Sequence, residues 1–157
     1  MQGNPGFMEK AVALATENVT SGRGGPFGAV IVREGEIVAT GANLVTASND
    51  PTAHAEVVAI RNACAALGSF ELSGCHIYTS CEPCPMCLAA IYWARCAAIF
   101  YGCCATDAAA AGFDDAFLYE EMKRPMSQRT IPAVNLLPEL AISSFRAWRD
   151  YAGRIDY

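Results

Sequence analysis

Two short clusters of metal-binding side chains, each lying where a helix is signalled to begin, limit the folds open to this chain more than any other feature. His54-Ala55-Glu56 follows the breaker Asp50-Pro51-Thr52, in which Thr52 reads as a helix cap. Pro83-Cys84-Pro85-Met86-Cys87 follows residues 75–80 (CHIYTS), a buried-strand candidate. After the first cluster, Val57, Ile60, Cys64 and Leu67 recur on one helical face that stops at Gly68. A fold that uses both clusters must bring two helix starts together beside the strand that separates them.

The rest of the chain fits around that unit. Apolar residues at helical spacing run over residues 7–18, ahead of the glycine-rich SGRGGPFG. GAVIVR and EIVATGA are short β-rich runs joined by Glu34-Gly35, a hairpin signal. CLAAIYWA continues the helix that Pro83 and Pro85 open, and AAIFY (97–101) is the next strand. Beyond it the pattern predicts a short helix near residues 116–122, a last strand at 131–136 and a C-terminal helix. Strands alternating with helices need crossover connections, so the expectation is one α/β domain over 1–157: a three-layer α/β/α arrangement around a mixed central sheet.

Composition narrows the class. The chain has 157 residues, 53% of them hydrophobic, enough for a single core. No apolar run around the motifs reaches membrane-spanning length, and the first residues lack the basic and apolar regions of a signal peptide, so no membrane partner is expected. The eight cysteines show no framework spacing and read as reduced thiols of a cytoplasmic protein. A net charge of −5 with 11 Lys plus Arg argues against a nucleic-acid partner. The one basic-aromatic stretch, Phe145-Arg146-Ala147-Trp148-Arg149, reads equally as an amphipathic helix burying Phe145 and Trp148 on one face.

The clusters carry the chemistry jointly. Alone, the HxE is common by chance and the CxxC could be a redox pair. Together, His54, Cys84 and Cys87 supply the imidazole and thiolate ligands that zinc prefers, with a fourth position left for water. Cys84 and Cys87 stand i and i+3 in a helix's first turn, where the helix dipole favours thiolate. A closed structural site would need another ligand; His76 lies inside a predicted strand, and Cys81 is the remaining candidate. Glu56 would be either a further ligand or the group that takes the proton of a zinc-bound water whose pKa falls to roughly 7. Only the second role makes chemistry possible.

PTAHAEVVAIRNAC and YTSCEPCPMCLAAIYWAR resemble the cytidine/deoxycytidylate deaminase superfamily, whose signature is HxE followed by PCxxC. Within it, GGPFGAVIV, SNDPTAHAEV, TDAAAAGFDDAF and FRAWRDYAGRIDY are similar to the short bacterial guanine deaminases, from about residue 11 to the end. The resemblance implies a cytidine-deaminase-like fold, one zinc per chain on His54, Cys84 and Cys87, and Glu56 as proton shuttle. It further implies hydrolysis of guanine to xanthine and ammonia by zinc-bound hydroxide at C2. Asn43, Asp115 and Tyr157 match residues that contact substrate, Ala55 joins that set, and Phe27 and Trp93 match pocket walls. Read by themselves, Asn43 suits a turn, Asp115 a helix cap, Trp93 a core and Tyr157 a frayed end. A homodimer exchanging its C-terminal helix and tail (about 137–157) is also implied. Other substrates with the same chemistry are guanosine, cytosine or the adenosine of a transfer RNA.

Overall fold

The computed structural model describes residues 2–113 and 115–157. Two compact units follow each other along the chain, Met1–Leu118 and Tyr119–Tyr157.

The first unit is built on a four-stranded mixed sheet. Helix α1 (Pro5–Thr20) starts from Asn4, whose side chain accepts from the Gly6 N–H at 2.9 Å, with Pro5 in the first helical position. Strands β1 (Gly28–Arg33) and β2 (Glu36–Ala42) form the expected hairpin. Its two turn residues, Glu34 and Gly35, both have positive φ (53° and 82°), the turn whose twist suits paired strands. A four-residue helix, α2 (Val45–Ser48), precedes α3 (Ala55–Leu67), which ends on Gly68 in the left-handed conformation. Then come β3 (His76–Cys81), α4 (Pro85–Trp93), β4 (Ala98–Cys103) and α5 (Ala105–Ala110). The sheet order is β2-β1-β3-β4. β1 is antiparallel to both its neighbours, and β3 and β4 are parallel, joined by the crossover through α4.

Alternation along β1 sorts the core into two layers. Ala29 and Ile31 face α3 and α4 together with Ile77, Leu72 and Ile91. Val30 and Val32 face α1 with Ala11 and Tyr78, and Phe7, Met8 and Phe100 close that side. The layers are α1, sheet, and α3 with α4. Full burial of Ile31, Ile77 and Ile91 contributes about 1.5–3 kcal/mol each.

The periodic face expected to bury α3 is only half right. Ile60, Cys64 and Leu67 flank the core, whereas the fully buried line is Ala55, Ala59 and Ala63. The reason lies in β2: a Cβ on Gly41 would meet the Ala59 backbone nitrogen at 2.5 Å. The helix lies too close for larger side chains. Gly28 on β1 does the same for α1, where a Cβ would come within 2.8 Å of the Ala15 nitrogen. The expected Thr52 cap is also corrected. Asp50 holds that turn, accepting from the Thr52 N–H (2.8 Å) and hydroxyl (2.7 Å), and His54 occupies the cap position of α3. These bonds, with Arg61 at 3.4 Å, keep the Asp50 carboxyl below its ordinary value.

Helix α6 (Ala116–Lys123) leads into the second unit, which continues through a 3-10 turn at Met126–Gln128 to α7 (Pro138–Asp150). No strand forms at residues 131–136, contrary to expectation. Pro132 removes a ladder donor, and Ile131, Val134 and Leu136 are all exposed. α7 has the predicted position, but Phe145 (69%) and Trp148 (41%) are exposed rather than buried on one face. The Trp148 ring meets that of Tyr157 edge-on, centroids 6.4 Å apart. Among the described residues no helix is long and apolar enough to cross a membrane.

Candidate metal and substrate site

His54 and Cys84 are the cap residues of α3 and α4, both in extended conformation (ψ 156° and 167°). Cys84 thus sits one step before the first turn in which it was expected, and Cys87 is the third helical residue. The sheet sets the distance between the two helix starts, because β3 runs directly into the loop that carries Cys84.

His54 Nδ1 lies 3.6 Å from Cys84 Sγ and 3.4 Å from Cys87 Sγ. Tetrahedral zinc with Zn–N near 2.05 Å and Zn–S near 2.3 Å separates bound nitrogen and sulfur by roughly 3.5 Å. The donor set therefore fits zinc in both chemistry and spacing. Among the described residues, His54, Cys84 and Cys87 are the group of His, Cys and carboxylate side chains close enough to share an ion. Cys81 does not join them; its thiol points to the Cys104 carbonyl at 3.7 Å. His76 is on β3, edge-on to Phe100.

Protonation follows the same contacts. The Cys84 thiol is pulled down to about 4 by the Cys87 thiol that bonds to it and, after burial has opposed this, by the His54 ring. Cys87 is pushed up, first because it donates to Cys84 and then by burial. His54 is raised by its bond to Cys84. Glu56 is buried and its carboxyl is raised by desolvation. It stands in the first turn of α3, where a carboxylate is favoured, and is not part of the metal-sharing group.

The cup opens into a cavity of about 550 Å³. Its lining includes His54, Glu56 and Cys84 beside the metal-binding group, called its floor below, and Phe27, Asn43 and Asp115, called its sides. Two of the expected substrate residues, Ala55 and Trp93, are not among the residues that line it. Ala55 is fully buried in the core cluster with Ile31 and Ala59. Trp93 is 64% exposed at the end of α4, under the Arg95 guanidinium at 5.9 Å, and does not line the cavity. Six residues at 1.5 Å each place it roughly 9 Å along the helix from Cys87. Tyr157 belongs to the second unit. Asp114, the other acid of GFDD, lies outside the described residues.

Several lining residues escaped the sequence reading. Phe113 packs edge-on against Phe27 with centroids 4.9 Å apart, and Glu82, Thr46 and Ala108 also face the cavity. Phe113 stands inside the GFDD motif, whose aromatic residue is as local a signal as its acids. Glu82 Oε2 accepts from the Ala105 N–H at 3.0 Å, tying β3 to the start of α5. No local pattern announces that bond.

Residues 1–103 match the family model for the cytidine and deoxycytidylate deaminase zinc-binding region. The guanine deaminase of Bacillus subtilis (strain 168) is 58% identical over 151 residues, covering 96% of this chain and 97% of the relative. The X-ray structure of a guanine deaminase from Bacillus subtilis superposes with a TM-score of 0.96 over 99% of both chains, at 56% identity. A tRNA-specific adenosine deaminase of Agrobacterium fabrum (strain C58 / ATCC 33970) is 48% identical over 77 residues, about half of each chain (49% and 51%). With a matching zinc-binding region over most of its length and the donor set in place to fill it, this chain belongs to the cytidine and deoxycytidylate deaminase family.

Proposed function

We propose that the chain hydrolyses guanine to xanthine and ammonia, with one zinc held by His54, Cys84 and Cys87. One observation carries the reading: the zinc-spaced triad and the buried Glu56 share a cavity floor whose sides are aromatic and amide or carboxylate groups suited to a purine. Near full-length similarity to the Bacillus guanine deaminase supports the choice of base. The bound metal supplies a Lewis acid that makes water nucleophilic at neutral pH.

This chain's own groups do the rest. Glu56 takes a proton from the attacking water and gives it to the ring nitrogen beside C2, then takes the proton left on the new C2 hydroxyl and gives it to the departing amine. The new C2–O bond replaces the C2–N bond, and ammonia leaves. Asn43 Oδ1 accepts from the Val45 N–H at 3.3 Å, which leaves its amide NH2 as the group to offer an acceptor on the base. Asp115 accepts from a ring N–H, and Phe27 with Phe113 covers the purine face. Raised carboxyl affinity for protons at buried Glu56 suits a group that must both take and give one.

The test is ammonia release by the zinc-loaded protein from guanine, guanosine, adenine, cytosine and cytidine. Guanine should be the fastest by at least tenfold. Faster turnover of adenine or cytosine, or co-purification with transfer RNA, would overturn the assignment; the Agrobacterium relative makes the last arm worth running.

A homodimer in a reducing, cytoplasmic setting completes the reading. Its supports are the exposed apolar side chains of α7 and the tail, including Leu140, Phe145 and Tyr157, and the eight free thiols. In this arrangement the tail of one subunit brings Tyr157 to its partner's substrate. A monomer at assay concentration in sedimentation would remove it.

A further inference from the structure

Asn18 is 0% exposed near the end of α1, remote in sequence from both metal-binding clusters. Its amide nitrogen donates to two carbonyls from different segments, Gly25 at 2.9 Å and Asn43 at 2.8 Å. Its own backbone carbonyl accepts from the Arg23 N–H at 3.0 Å and the Gly24 N–H at 3.3 Å. Gly24, Gly25 and Asn43 all line the cavity. A single residue therefore ties the glycine-rich wall to the wall that carries Asn43.

The fit is tight and one-sided. A Cβ on Gly24 would come within 2.9 Å of the Asn18 nitrogen, so the loop has no slack around it. Among the described residues, Asn18 Oδ1 is buried without a hydrogen-bond partner. Leaving an acceptor unsatisfied is costly, so the amide is not retained for satisfying itself. What it uniquely provides is two N–H groups at one point, between two carbonyl oxygens that would otherwise repel. Asn43 is then fixed at three atoms: its N–H donates to the Phe27 carbonyl (3.1 Å), its carbonyl accepts from Asn18, and its Oδ1 accepts from Val45.

We propose that Asn18 is a positioning residue for the substrate: it clamps the 22–25 loop to Asn43 and so sets where the Asn43 amide meets the base. This rests on the assignment of Asn43 as a base contact. The clamp touches neither the metal ligands nor Glu56. Its loss should thus weaken binding of the base and leave the chemical step largely alone.

Two variants of matched size test it. Asn18→Asp removes both donors and sets oxygen against the two carbonyls. Asn18→Leu removes the donors and the unsatisfied acceptor together, which favours its folding. Both should raise KM for guanine at least tenfold, change kcat less than threefold and keep one zinc per chain. Amide hydrogen exchange should quicken in residues 22–25 and 43–46 but not in α3 or α4. A KM within twofold of the parent in Asn18→Leu, a loss of zinc, or unchanged exchange in those two segments would overturn the clamp, as would failure of both variants to fold. If the parent itself does not deaminate guanine, the proposed function fails and exchange alone decides on Asn18.

Discussion

The floor and the sides of the cavity are made differently. The floor is carried by the cap and first-turn residues of two regular helices, and its three donor atoms hold a spacing set by the sheet. The sides come from the 22–25 loop, the 43–46 segment, Phe113 and Asp115, joined by individual hydrogen bonds and one aromatic pair. Ligand geometry for zinc is the same for any substrate, whereas the shape of the base is not. If the floor supplies the hydrolytic chemistry and the sides meet the base, a family can keep the first while its sequences vary the second.

If floor and sides are separable, substitutions should sort by where they fall. Cys84→Ala or Cys87→Ala should have the largest effect: zinc falls well below one per chain, activity drops to background and the melting temperature falls, since metal binding and folding are coupled. Metal analysis alongside a thermal melt checks this, and stoichiometric zinc in Cys84→Ala would remove Cys84 from the ligand set. Next is Glu56→Gln, which should keep its zinc and lose about 10²–10⁴-fold in kcat, because an amide cannot accept the water's proton. Loss of zinc there would make Glu56 a ligand and merge it with the floor.

Substitutions in the sides should cost less and spare the metal. Asp115→Ala should lower kcat/KM for guanine by roughly 10–100-fold, the value of a charged hydrogen bond, with zinc unchanged. Parent-like kinetics would leave Asp115 without a substrate role. The smallest effect is expected from deleting residues 154–157: a several-fold rise in KM or fall in kcat, in a protein that still folds and binds zinc. Full activity in that truncation would mean that Tyr157 is no part of the site.

The same division explains what could be read from the sequence. The floor is local: Cys84 and Cys87 are three residues apart, His54 and Glu56 two apart, and each pair sits on a helix-start signal. The hairpin at Glu34-Gly35 and the stop at Gly68 are equally local, and both form as expected. The sides are assembled from segments far apart in the chain. Asn18 bonds Asn43 across 25 positions and Glu82 bonds Ala105 across 23, with no spacing rule to announce either. Residues 131–136 misled for another reason. Their apolar content matches a strand, but Pro132 interrupts the backbone ladder and the segment has no neighbour among the four strands of the sheet.

The seam between α3 and β2 bears on how the site responds to heat. Gly41, Ala55 and Ala59 have no side-chain rotamers to exchange, so this contact cannot loosen by small repacking steps as a leucine-lined one can. Backbone already stands against backbone, and α3 cannot slide along the sheet without collision. His54 and Glu56 ride on that helix. Their alignment should therefore hold nearly constant as temperature rises and be lost together with the sheet, in a single step rather than a gradual drift.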